Sequence, residues 1–281
     1  MDPVLAKLTS ARSFLVFPGD DDHKRERALA SGADAVVLDL EDGVAPDAKA
    51  HARARLQAFA TAPGSPVRLV RVNDPSGAIG AADLVAVARL DDVTVVVPKA
   101  GLGTVEVAAG TGRPLVALIE DAAGVRDAYE LAVHPAVVAL AIGSADLTAS
   151  LGLVPTGDGT ELLFVRSQLV VASVAAGIRP AIDGPCLDVH DPMAVEREAR
   201  LARGLGLRGK LCIHPGQVAG VHLALAPTYE EVECAHRVVA AWDDILAGGA
   251  AVGVVDGMLV DLPVVQRARA VIESSERSEP V

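Results

Sequence analysis

The chain has 281 residues, 51% of them hydrophobic, with 25 Lys+Arg against 37 Asp+Glu and a formal charge of −12. That charge repels phosphate backbones and anionic lipid, and 2% aromatic residues leave little for bases to stack on, which excludes nucleic acid as a partner. No apolar stretch reaches the roughly 18 to 20 residues of a membrane span, and Asp2, Lys7 and Arg12 interrupt the continuous apolar core of a signal peptide, so a cytoplasmic protein without a membrane partner is expected.

In chain order, a strand is predicted over residues 13–17, a helix over 22–31, a strand over 35–40, a helix over 47–60, a strand over 67–72 and a helix over 81–89. Strands at 93–97 and 115–119 follow, then a helix at 125–132, a strand at 137–142, a helix at 161–176, a strand at 178–182, a helix at 192–205 and a strand at 211–213. Several of these eight strands are apolar almost throughout, as parallel strands buried on both faces are. Eight β/α alternations with short Gly/Pro-containing turns predict an α/β fold, a closed (β/α)8 TIM barrel over residues 1–225.

A C-terminal helical extension is expected over 226–281, after a helix at 217–225. Thr228-Tyr-Glu-Glu231 has capping-box spacing and opens another helix; residues 250–272 carry a Gly-punctuated apolar patch and then a helix from 264 to 272, and the polar stretch 273–281 is expected to fray. Cys186, Cys212 and Cys234 are odd in number, widely spaced and without a CxxC pair, so they read as reduced packing residues.

Active sites of such barrels form at the C-terminal strand ends, so the residues there bear the chemistry. They are Pro18-Gly19, Glu41-Asp42-Gly43, Arg71 with Asn73, Pro98-Lys99, Glu120, Gly143 to Asp146, Asp183 and His214. Glu120 and Asp146 leave adjacent strands, and two hard carboxylates leave room for Mg²⁺ or Mn²⁺ with waters and a chelating 2-oxo or 2-hydroxy acid. Such carboxylates also cap the next helix or pair with Lys and Arg. Arg71 suits a bidentate grip on a substrate carboxylate, or an internal salt bridge to Glu41 or Asp42, and the two are compatible. Lys99 fits an anion-steering, a Schiff-base or a structural role. His214 reads first as a hydrogen-bonded structural residue. Gly101-Leu-Gly103 lacks the rest of a phosphate loop, and Asp20 to Asp22 lie at a predicted helix start, where acids complement the dipole.

Seven ordered segments resemble the HpcH/HpaI aldolase family, and within it the citrate lyase beta-subunit-like proteins. They are Arg12-Ser-Phe-Leu-Val-Phe-Pro-Gly19, Ala35-Val-Val-Leu-Asp-Leu-Glu-Asp-Gly-Val44, Val70-Arg-Val-Asn73, Val97-Pro-Lys99, Ile119-Glu120 with Gly124-Val125, Gly143-Ser-Ala-Asp-Leu147 and Gly209-Lys-Leu-Cys-Ile-His-Pro215. The resemblance implies that Glu120 and Asp146 are Mg²⁺ ligands and that Arg71 holds the carboxylate of the keto acid, with Gly143 and Lys99 beside the substrate. It also implies that Glu41 and Asp42 surround water on the metal. A C-terminal lid crossing a subunit interface would bring the acid/base aspartate of a Met-x-x-Asp-x-Pro pattern, which Met258-Leu-Val-Asp261-Leu-Pro263 fits.

Two departures stand out. Asp121 follows the metal glutamate where a small hydroxyl residue is common, an extra charge expected to affect metal affinity or substrate choice. Asp42 stands where pyruvate aldolases of the superfamily place a His, which favours the acyl-thioester branch. The expectation is therefore a Mg²⁺-dependent carbon–carbon lyase making or cleaving a 3-hydroxyacyl-CoA of malyl-CoA or citramalyl-CoA type, from an acyl-CoA and a short 2-oxo acid, as a homotrimer or hexamer. Alternatives are a malyl-CoA-type thioesterase and the beta subunit of a multi-component citrate lyase acting on an acyl carrier protein.

Overall fold

In the computed structural model, which describes residues 3–64 and 66–276, eight strands pair in parallel, each with the next, and the eighth closes onto the first. They are β1 (Ser13–Pro18), β2 (Ala35–Asp39), β3 (Val67–Arg71), β4 (Val93–Val97), β5 (Leu115–Ile119), β6 (Val137–Ile142), β7 (Ile182–Asp183) and β8 (Gly209–Cys212). This is the expected TIM barrel. Helices lie between successive strands, and alternate residues of each strand serve two apolar layers. One layer, including Val36, Leu38, Val70, Val95, Ala117 and Leu140, packs between sheet and helices; the other, including Phe14, Val37, Leu69, Val116 and Ala141, fills the barrel interior. A helix at Pro3–Ser10, not anticipated from sequence, adds Leu8 to the interior layer.

Two strands differ from expectation. The run 178–182 yields only a two-residue β7, because Pro180 has no N–H to give a ladder and the preceding helix, Leu163–Ala176, ends in left-handed Gly177. The strand expected at 211–213 begins instead at Gly209 and ends before Ile213; its first members, Gly209 and Lys210, look unlike strand residues and are fully enclosed. A helix at Leu102–Ala109 fills the gap between β4 and β5, where none was predicted, and Ser144–Leu151 adds a helix ahead of the expected one between β6 and β7. The expected helix 47–60 is broken at Arg55 into Lys49–Ala54 and Leu56–Ala60 after a short 3₁₀ turn, Pro46–Ala48.

The chain divides into two compact units, Met1–Leu225 and Ala226–Val281. The second has its own small core of Ala235, Val238, Trp242, Val260, Val265 and Ala268. It opens with the helix Tyr229–Ala247, on the predicted capping box: the Glu231 N–H donates to Thr228 Oγ1 at 3.2 Å and the Thr228 N–H to Glu231 Oε2 at 2.7 Å. The apolar patch then forms an antiparallel hairpin, β9 (Gly253–Val255) and β10 (Met258–Val260), around Asp256-Gly257, both with positive φ. The last helix is Leu262–Glu276, so residues 273–276 are helical rather than frayed; 277–281 lie outside the described residues. No helix among the described residues is long and apolar enough to cross a membrane.

Candidate active site

Alternation decides which strand-end residues meet. On β5 the inward side chains are Val116 and Leu118, so the next on that side is Glu120; on β3, Leu69 leads to Arg71; on β6, Ala141 leads to Gly143. These residues, with Asp42 and Asp146, line one cavity of about 240 Å³ at the C-terminal mouth of the barrel. Asp146 enters it from the first turn of the helix Ser144–Leu151.

Glu120 is 3% exposed. Its Oε2 accepts the Lys99 backbone N–H at 2.8 Å, and its other oxygen has no hydrogen-bond partner among the described residues. Burial pushes the carboxyl up to about 7; the Lys99 N–H opposes this and the charge of Glu41 adds to it. The neighbouring strand makes room for it: a Cβ on Gly143 would stand 2.3 Å from Glu120 Cγ and 2.5 Å from Oε1, so only glycine fits there. Lys99 presents its N–H from a left-handed backbone with φ of 42°.

Asp146 is half-buried and, among the described residues, makes no hydrogen bond or ion pair. Asp121 contrasts with it. Asp121 Oδ1 accepts the Gly124 N–H at 2.7 Å and caps the helix Ala122–Arg126, so its extra charge is spent on a helix end and it does not line the cavity. Glu120 and Asp146 thus bring two uncapped carboxylates, neither in a salt bridge, to one polar rim. Among the described residues no three His, Cys, Asp or Glu side chains form a metal cage. Two hard oxygen ligands with open coordination positions fit an octahedral Mg²⁺ that must also take a chelating ligand.

Arg71 is held from two sides. Its Nε and Nη2 donate to Asp39 Oδ1 and Oδ2 at 2.8 and 2.7 Å, a bidentate fork, and its Nη1 lies 3.0 Å from Glu41 Oε2. Burial works against the cation, but the Asp39 fork and the Glu41 charge outweigh it and raise the guanidinium's pKa. The anticipated pairing with Glu41 is present; Asp39 is the partner that sequence reading missed. Two signals pointed to it: Asp39 is opposite Arg71 in the β2–β3 register, and it shares inward parity with Val37. Its oxygens also accept the Glu41 and Gly43 N–H groups, each at 2.8 Å, so one carboxylate holds both the arginine and the acidic turn.

Glu41 is buried, which raises its pKa, although Arg71 and Lys99 pull the other way. The Lys99 ammonium lies 2.9 Å from Glu41 Oε1 and 4.0 Å from Asp42 Oδ2. Partial burial disfavours that cation, but the Glu41 hydrogen bond prevails and raises its pKa, the opposite of what a Schiff-base lysine requires. Asp42 is exposed on the rim.

The remaining strand-end groups are structural. Asp183 is completely buried between Arg166 Nε at 2.8 Å and Lys210 Nζ at 2.9 Å; Lys210, also fully buried, reaches Glu198 and the Gly184 carbonyl as well. His214 Nδ1 accepts the Gly216 N–H at 3.1 Å and caps a 3₁₀ turn away from the cavity. Asp21 caps the helix Asp22–Leu29 by accepting the Lys24 N–H, and Asp22 pairs with Arg25 and Arg55. Burial pushes the Cys186 and Cys212 thiols up to about 11 and about 12, as inert packing residues require. In the second unit Asp261 Oδ1 accepts the Val264 N–H at 3.2 Å, at the start of the helix Leu262–Glu276.

A model of the HpcH/HpaI aldolase/citrate lyase family matches residues 12–215. The chain is 33% identical over 270 residues to a (3S)-malyl-CoA thioesterase of Cereibacter sphaeroides, and 32% identical over 303 residues to an L-malyl-CoA/beta-methylmalyl-CoA lyase of the same species, each alignment covering 94% of both chains. A crystal structure of CitE from Mycobacterium tuberculosis with magnesium, acetoacetate and coenzyme A superposes with a TM-score of 0.81 at 33% identity, over 95% of this chain and 99% of that one.

Proposed function

This chain belongs to the HpcH/HpaI aldolase/citrate lyase family, and on that premise we propose that it is a Mg²⁺-dependent carbon–carbon lyase acting on a 3-hydroxyacyl-CoA of malyl-CoA or citramalyl-CoA type. One observation carries the reading: Glu120 and Asp146, two carboxylates without a cationic partner, share a cavity with the charged guanidinium of Arg71. Glu120 and Asp146 hold Mg²⁺, or Mn²⁺ in its place, which when bound polarises the oxygen on the carbon that is cleaved. Arg71, its Nε and Nη2 held by the Asp39 fork and its Nη1 shared with Glu41 Oε2, takes the carboxylate of the 2-oxo-acid fragment.

In the cleavage direction the bond between the thioester α-carbon and the hydroxyl-bearing carbon breaks. Its electron pair passes to the thioester enolate, the hydroxyl loses its proton as the oxo acid's carbonyl forms, and the α-carbon gains a proton to give the acyl-CoA. Asp261 is the group assigned to the α-carbon, supplied by a neighbouring subunit of a homotrimer or hexamer in the cytoplasm. Glu41 and Asp42 keep Lys99 and Arg71 charged and placed at the rim. Gly143 leaves the space that Glu120 occupies.

Replacing Glu120 by Ala tests the metal site. The variant should retain its circular dichroism spectrum and lose both the Mg²⁺ isotherm and the metal-dependent turnover; undiminished turnover would refute the assignment. A second reading, thioester hydrolysis, is favoured by the likeness to the malyl-CoA thioesterase; there water adds to the thioester carbonyl and the C–S bond breaks, releasing coenzyme A and the intact hydroxy diacid.

A further inference from the structure

The turn after β2 decides where two cations of the rim stand. Glu41 is buried, with its Oε1 on the Lys99 ammonium at 2.9 Å and its Oε2 3.0 Å from Arg71 Nη1. Arg71 has the Asp39 fork besides; the Lys99 ammonium has only Glu41 and, at 4.0 Å, Asp42. Its place therefore follows the turn, and the turn is held by its backbone. The Leu40 N–H donates to the Arg71 carbonyl at 2.9 Å, and the Glu41 and Gly43 N–H groups donate to Asp39. On the acceptor side, the neighbouring carbonyls of Leu40 and Glu41 meet on one ammonium: Lys49 Nζ donates to them at 2.9 and 2.6 Å. Asn73 Nδ2 adds a bond to the Leu40 carbonyl at 2.8 Å, and the Val44 N–H reaches the Glu41 carbonyl at 3.0 Å.

Lys49 is the first residue of the helix Lys49–Ala54, half-buried, and does not line the cavity. Among the described residues it pairs with no carboxylate, although Asp39, Glu41 and Asp42 all lie on the segment it grips. A lysine that served only solubility would keep its ammonium in water; this one spends it on two carbonyls, in charge-assisted bonds roughly twice as strong as neutral ones. We propose that Lys49 is a positioning residue of the oxo-acid site: from behind the turn it fixes the Leu40 and Glu41 backbone, and through the Glu41 carboxylate it places the Lys99 ammonium and Arg71 Nη1 at the rim. This rests on the reading of the rim as an oxo-acid site. The metal ligands do not depend on Lys49, because Glu120 is held by the Lys99 backbone N–H and Asp146 stands on the helix Ser144–Leu151.

The test is binding without turnover, on the full chain at about 0.3 M salt, where a charge acting at a distance is screened. Isotherms of Mg²⁺ alone, and of glyoxylate and pyruvate with Mg²⁺ present, are compared for the wild-type chain, Lys49→Met, Lys49→Gln and Lys49→Arg. Lys49→Met should bind both oxo acids about tenfold more weakly and leave the Mg²⁺ isotherm unchanged. Lys49→Gln, which keeps one donor group, should show a smaller loss of the same kind and carries the test if the first variant does not fold. Lys49→Arg, charged and with several donors, should bring oxo-acid affinity back to within about threefold of the wild type. Wild-type affinity in Lys49→Met and Lys49→Gln would overturn the proposal. So would an equal loss of Mg²⁺ affinity, the mark of a general support of the barrel, or a loss that Lys49→Arg does not repair. If neither oxo acid binds the wild-type chain, the reading of the rim fails, and the proposal with it; if the wild type and the neutral variants bind them equally, the rim reading stands and the role of Lys49 alone is wrong.

Discussion

At the residue scale, the site depends on how few groups hold each charge. Asp39 accepts four N–H groups on two oxygens, two from Arg71 and two from the turn that carries Glu41 and Asp42. Replacing Asp39 by Asn turns one acceptor into a donor facing N–H groups that have no alternative, at a cost of about 1–3 kcal/mol in transition-state stabilisation if Arg71 tilts away. Steady-state kinetics should show kcat/KM falling roughly ten- to hundredfold, with most of the change in KM for the oxo acid. An unchanged kcat/KM would mean that Arg71 needs no orienter. The inward-facing residues were legible because period-2 alternation and strand ends specify them; Glu120, Arg71 and Gly143 follow directly. Asp39 was passed over because it sits inside the strand, where a carboxylate next to Leu38 and Leu40 looks like part of the acidic motif rather than its anchor. Asp121 drew suspicion for its charge, but it caps a helix N-terminus and does not line the cavity.

At the scale of elements, the strands with continuous β-branched runs were readable and the irregular ones were not. β7 and β8, expected at 178–182 and 211–213, lie displaced from those bounds, where a buried ionic knot fixes their positions. Lys210, Asp183 and Arg166 hold each other where hydrophobic residues would be expected, and Lys210 also ties down the Gly184 carbonyl beside the cavity wall. Lys210→Met would leave Asp183 with one cation and the Gly184 carbonyl without a donor, and should destabilise the barrel by about 3 kcal/mol, read as a lower denaturant midpoint. The hairpin in the second unit was foreshadowed by Asp256-Gly257, the dipeptide that favours a type I′ turn, but short strands at the chain's end gave too little alternation to register.

At the opposite face of the barrel, Asp34 accepts the Arg12 and Ser13 N–H groups at 2.7 and 3.1 Å and faces His222 Nε2 at 3.1 Å. Burial works against the carboxylate, yet the His222 and backbone hydrogen bonds hold its pKa down at about 2. A depressed folded-state value stabilises the fold fully above the unfolded value near 3.8, and that contribution disappears as pH falls through about 2. Asp34→Asn should therefore cost roughly 1 kcal/mol at pH 6, allowing for partial exposure, and nothing measurable at pH 2, when chemical melts of the two proteins are compared.

At the scale of the whole molecule, the barrel brings together the proposed metal ligands and Arg71, while Asp261 belongs to a separate compact unit with its own core. The barrel was legible as a fold because eight strand–helix alternations are a global signal that survives errors in single elements. The boundary between lyase and thioesterase is not a matter of fold, since relatives of nearly equal identity carry both descriptions. Product masses separate them most directly. Incubated with Mg²⁺ and a malyl-CoA or citramalyl-CoA thioester, the protein should yield a shorter acyl-CoA and a free 2-oxo acid in equal amounts; free coenzyme A with the intact hydroxy diacid, and no acyl-CoA fragment, would contradict carbon–carbon cleavage.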